Sequence, residues 1–193
     1  MQGLIRNAGS VLACCVLAAT LCHAQAAPAK PAPGTLVTPA QTYGRLLSLM
    51  EKEFVDAVEA MPEDKFNFAP PEGSGDFKGV RSFAAQVKHV TGSSYYFFAS
   101  PDATQDQVKA KEDGADKPSS KAEIVQQMKD SLKSAHAFID GITAENAYVT
   151  MARGGTRAGM ATFGLAHMMD HYGQLVVYLR MNGIVPPASR GGM

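Results

Sequence analysis

Apolar side chains return every three or four positions from Tyr43 onward: Tyr43, Leu46, Leu47, Met50, Phe54, Ala57 and Val58 draw a stripe down one helix. Thr38-Pro39 opens that helix and Met61-Pro62 closes it. Proline in the first turn loses no bond, because the first amides of a helix have no partner inside it. A second stripe, through Phe83, Ala84, Val87, Val90, Thr91, Ser94, Tyr95 and Phe98, predicts a helix from Val80 to about Ser100, ended by Pro101. A third starts at Ser120-Lys121-Ala122-Glu123, which has capping-box spacing, and runs through Ile124, Val125, Met128, Leu132, Ala135, Phe138 and Ile139 to a stop at Gly141. The fourth spans about Thr156 to Met181, offers Met160, Phe163, Ala166, Leu175, Tyr178 and Leu179 for packing, and stops at Asn182-Gly183.

Two connections separate the first three helices. EDKFNFAPPEGSGDFKGV is broken by proline and glycine but carries Phe66, Phe68 and Phe77 as apolar anchors, and so reads as an ordered link. DATQDQVKAKEDGADKP is polar and charged, and reads as a long exposed crossover with room for a helical turn. No segment alternates in the manner of a strand and no repeat is visible. The expected fold class is therefore all-α, a four-helix bundle with a long connection between its second and third helices.

The first residues change the picture of where such a bundle works. Arg6, an apolar run from Val11 to Leu21 and Ala24-Gln25-Ala26 form an export signal with cleavage after Ala26, placing the mature chain in the periplasm or outside the cell. The run is too short to favour a permanent membrane span, so no stable span is expected after cleavage. Domain limits follow: signal 1–26, an Ala/Pro-rich linker 27–38, and a helical domain 39–189. All three cysteines, Cys14, Cys15 and Cys22, fall in the signal, so the mature domain has neither disulfide nor thiolate and relies on its core. The 18 basic and 18 acidic residues balance, with no basic stripe, and nucleic acid is not an expected partner.

Candidate chemistry lies in LAHMMDHYGQLVVYLRMNG, where His167 and His171 stand one turn apart and project from the same helix face. Two imidazoles so placed can converge on one metal ion. His89, in the second helix and beside its apolar stripe, is the candidate third ligand. Three neutral nitrogens leave a position for water or substrate, the arrangement of a reactive site. Imidazole suits zinc or nickel, and iron or manganese also fit the donor set. The plainer alternative is a pair of interior histidines engaged in core hydrogen bonds.

The same residues, read together, resemble the DinB-like, or DNA-damage-inducible protein, family. The resemblance runs from about Thr38 to Ser189: a first helix ending in MPEDKFNF, a helix containing VKHV, and a last helix containing HMMDHYGQLVVYLRMNG before IVPP. The closing segment, with its histidine pair followed by Gly173-Gln174 and then Tyr178-Leu179-Arg180 and Gly183, is its most specific part. It implies a four-helix bundle of DinB-like type, commonly a homodimer, with a divalent metal held by three histidines. His89 matches the ligand of the second helix, and His167 and His171 match the pair on the last. Related families include thiol-dependent transferases and isomerases. The export signal departs from the usual cytoplasmic member and sits poorly with cytoplasmic thiol cofactors.

Other polar residues read more plainly. Asp170 is a partner of the site's edge or a surface charge. Gln174 and Tyr178 either position a bound molecule or hydrogen-bond between helices. His136 is expected to be solvated, and Met50, Met128 and Met160 to fill the core. Arg153, Arg157 and Arg180 are expected in ordinary ion pairs. No nucleophilic triad, phosphate loop or mature cysteine is present, which disfavours covalent catalysis. The expectation is a divalent-metal-binding protein acting as a hydrolase or a thiol or group transferase on an unknown small molecule. A non-catalytic bundle binding a small ligand or a partner protein is the alternative, and a metal-free scaffold is the third reading.

Overall fold

The computed structural model describes residues 31–191. The predicted signal, its cysteines and its cleavage point lie outside them, as does the start of the linker. By its contacts the chain divides into Met1–Thr35 and Leu36–Met193. Of the first unit, residues 31–35 form an exposed turn in which the Thr35 amide donates to the Ala32 carbonyl.

The second unit holds five helices: α1 (Pro39–Ala60), α2 (Phe83–Phe97), α3 (Gln105–Ala115), α4 (Lys121–Asp140) and α5 (Arg157–Met181). Among the described residues β pairing is limited to an isolated bridge between Thr150 and Thr156. No helix there is long and apolar enough to cross a membrane. The long helices α1, α2, α4 and α5 each pack against two of the others, and α3 lies on α2. Leu47, Phe54, Phe83, Met128, Leu132, Ile139, Met168, Leu175 and Leu179 meet in one core without solvent exposure worth noting.

The helix ends use the expected signals. Thr38 and Ser120 both form full capping boxes, with Gln41 and Glu123 reaching back to the cap amide. Ser82 caps α2 by accepting from the Ala85 amide. The link before α2 is ordered as anticipated: the Phe68 and Phe66 carbonyls accept from the Phe83 and Ala84 amides, which an isolated helix would leave unbonded. Phe66 is buried, and Phe68 packs edge-on against Tyr178.

Three expectations are corrected. The crossover holds an eleven-residue helix, α3, rather than a turn. Its start is a capping box between Thr104 and Gln107, and Lys109 pairs with Asp113 one turn on. Only Val108 and Ala115 of α3 are buried, so no stripe announces it; it docks where Gly92 brings α2 close to Ala115. In α5, Phe163 is 61% exposed and Ala166 is exposed, while Ala158, Ala161, Leu165 and Met168 face the core instead. That helix is apolar around much of its circumference, so sequence periodicity is a poor guide to its buried side. Leu46 is likewise an exposed member of the α1 stripe.

Candidate metal centre

Close approach of α5 to α2 sets up the site. Gly164 faces Phe97 and Phe98 of the α2 terminus so tightly that a Cβ on it would lie 2.7 Å from the Phe98 ring and 2.9 Å from the Phe97 Cβ. One turn later His167 emerges from α5 toward α2, and His171 follows on the same face. His89 projects from the middle of α2 to meet them. One ring nitrogen from each histidine lies within 4.8 Å of the others. Ring centroids are 5.1 Å apart for His89 and His167, 4.8 Å for His89 and His171, and 4.6 Å for His167 and His171, all edge to face.

The surroundings keep these rings neutral. His171 is only 6% exposed, and its pKa is pushed down to about 4, first by burial and then by the neighbouring His167 and His89. Burial is also the largest cause lowering His89 and His167. The Arg81 charge lowers all three, whereas Asp170 pulls His167 and His171 back up. Neutral imidazoles offer lone pairs, as a metal ligand must.

Two nitrogens in the cluster, His167 Nε2 and His171 Nδ1, are buried without a hydrogen-bond partner. An orphaned buried polar atom costs about 1–3 kcal/mol, which a cation between the rings would relieve. Donor chemistry, convergence and orphaned lone pairs therefore fit a divalent transition-metal ion. The core-hydrogen-bond alternative for His167 and His171 finds no partner for those atoms.

A family model described as the DinB superfamily matches residues 46–175. The chain belongs to the DinB superfamily. Among solved structures it is similar to a DinB-like protein from Bacillus subtilis, at 18% identity and a TM-score of 0.54, covering 74% of this chain and 92% of that one. That likeness concerns the fold. No curated protein matches. In this DinB superfamily member, the three histidines predicted from sequence come together and can form a metal site.

Beside the cluster, polar side chains form a short relay. Gln86, one turn before His89 and 3% exposed, donates through Nε2 to Gln174 Oε1 at 2.6 Å. Gln174 Nε2 in turn donates to the exposed Asp170 carboxylate at 3.4 Å. Tyr178 donates its hydroxyl to the Arg81 carbonyl at 3.0 Å and otherwise belongs to the core. Gln174 and Tyr178 thus make hydrogen bonds between α5 and the α2 region. An open cleft of about 610 Å³ runs alongside, lined by Phe77, Val80, Arg81, Gln86, Gln174 and Val177 among others. The histidines are not among its lining residues; Gln86 and Gln174, each three positions from a histidine of the cluster, are.

The remaining candidates lie elsewhere or behave differently. His136 contacts the Glu51 carboxylate across α1 and α4 rather than standing free in solvent. Arg153 has no carboxylate partner: its guanidinium donates to the Phe97 and Ala99 carbonyls and lies over the Tyr96 ring, and Arg180 bonds the Ser189 hydroxyl. The expected ion pairs at these two arginines are therefore absent among the described residues. Sequence reading missed Arg81 and Gln86. The signal for Gln86 was its i−3 spacing from His89 amid apolar neighbours; Arg81 precedes the helix and carried no spacing signal.

Proposed function

We propose that this chain is a metal-dependent DinB superfamily protein in which His89, His167 and His171 hold one divalent ion, zinc or nickel in first place, and act on a small molecule by hydrolysis or group transfer. A bound ion of this kind lowers the pKa of a coordinated water or substrate thiol and so supplies a nucleophile at neutral pH. The residues themselves have separate tasks. The histidines, held neutral by burial, present lone pairs; Gln86 and Gln174 hold a fixed polar edge; the cleft beside them admits the reactant. The observation that carries the reading is the convergence of one ring nitrogen from each of His89, His167 and His171 within 4.8 Å of one another, in a cluster where His167 Nε2 and His171 Nδ1 are buried without a partner.

The deciding measurement is metal content by inductively coupled plasma mass spectrometry on the chain from Ala27, beside a His167→Ala/His171→Ala double variant. About one transition-metal ion per chain, lost in the variant, is expected. Absence of bound metal in the parent after reconstitution with zinc, nickel, iron and manganese would sink the proposal. Tight metal with no turnover on hydrolase and thiol-transfer panels would favour the binding-module reading. Export is part of the same proposal, and N-terminal sequencing of secreted or periplasmic protein should begin at Ala27.

A further inference from the structure

Arg81 and Gln86 are left over once the metal centre is described, and both face the cleft. Arg81 forms no ion pair among the described residues, yet its backbone is pinned by the Tyr178 hydroxyl. Gln86 is buried, only 3% exposed, and its Oε1 has no hydrogen-bond partner. The orientation of that amide follows from the relay. A carboxylate only accepts, so Asp170 requires the Gln174 NH2 group; Gln174 Oε1 then takes the Gln86 NH2 group, leaving Gln86 Oε1 as a free acceptor. A buried acceptor on a residue that lines the cleft is satisfied when a donor on the occupant reaches it.

The rest of the lining defines the occupant's other ends. Phe77, Val80 and Val177 give an apolar wall, and the Arg81 guanidinium supplies the cleft's one positive group, suited to a planar carboxylate. We propose that the cleft binds an amide-bearing carboxylic acid, of the N-acyl amino acid type, with its carboxylate on Arg81, its N–H on Gln86 Oε1 and its apolar side chain against Phe77, Val80 and Val177. Arg81 is then the residue that determines specificity, and Gln86 the one that sets the molecule's distance from the histidines. This deepens the metal-centre reading by naming the substrate class, and rests on it for the chemistry but not for the binding.

The test uses N-acetyl-L-leucine and its neutral isostere N-acetyl-L-leucinamide as probes, with affinities from 15N–1H chemical-shift titration and metal content measured on the same samples. Parent protein should bind the acid about tenfold more tightly than the amide, the size of one solvent-exposed charge-assisted contact. Arg81→Gln should abolish the preference while keeping its metal, and Arg81→Lys should restore part of it. Gln86→Leu should weaken acid and amide alike, because both carry the N–H. The same preference in the metal-free His167→Ala/His171→Ala protein would support the cleft whatever becomes of the metal proposal. Equal binding of the two probes by the parent would overturn the inference while leaving the metal result intact. So would a preference that survives Arg81→Gln in loaded protein and vanishes without metal, since the carboxylate would then sit on the ion.

Discussion

Protonation of the histidine cluster should cost the metal-free fold a measurable part of its stability. His171 has an ordinary pKa near 6.5 when exposed and one of about 4 in the fold. Its folded pKa is the lower, so below pH 6.5 the unfolded chain binds more protons, and stability falls as pH drops from about 6.5 to about 4. Above that window the contribution is flat. At roughly 1.4 kcal/mol per pKa unit the full loss is about 3 kcal/mol, of which about 2 kcal/mol is reached by pH 5. Against a typical total of about 5–15 kcal/mol this is large, and corresponds to a fall in Tm of roughly 4–8 °C for a domain this size. The assay is urea unfolding followed by far-ultraviolet circular dichroism, in chelator, at pH 7.5, 6, 5 and 4.5, for the parent and His171→Gln. Glutamine does not titrate, so the stability difference between the two proteins should narrow or invert by about 2 kcal/mol between pH 7.5 and 5. Parallel lines across the whole range would refute the claim that the fold holds His171 neutral.

Further outcomes follow from the packing around the site. Gly164→Ala places a methyl against Phe97 and Phe98 and should destabilise the fold by about 1–3 kcal/mol in thermal or urea unfolding. It should also lower metal content by moving His167 away from α2; unchanged stability would show that the contact is not tight. Tyr178→Phe removes the bond to the Arg81 carbonyl and should cost about 1 kcal/mol in urea unfolding with metal content preserved, while a loss of metal would assign Tyr178 a direct part in the centre.

Much of the site was legible before the fold because it is local. His167 and His171 stand four residues apart, and helical geometry alone puts them on one face. His89 was placed by its position in a second helix and by the family pattern, and the structure brings its ring within 5.1 Å and 4.8 Å of the other two. What was not legible belongs to surfaces created by packing. Gln86 stood outside the apolar stripe and was not singled out, yet it is the buried link between α2 and α5. Arg81 fell within the helix expected from Val80, whereas α2 begins only at Phe83, so the helical period did not describe its position.

The amphipathic stripes and the caps at Thr38 and Ser120 determined the four long helices, because those interactions lie within a few residues of each other. Helix α3 escaped that reading: only Val108 and Ala115 reach the interior, and its end is tied to α2 and α4 by Lys88 and Gln127, which donate to the Asp116 and Gly114 carbonyls. The buried side of α5 was decided by tertiary structure alone, since a helix apolar nearly all round has no preferred face until its neighbours select one. Close contact at Gly164 made that selection, turning His167 and His171 toward His89 and leaving Phe163 in solvent. Hydrogen-bonding and capping are short-range and can be read along a chain; which lone pairs end up dry, close together and without partners depends on how whole helices exclude water from one another.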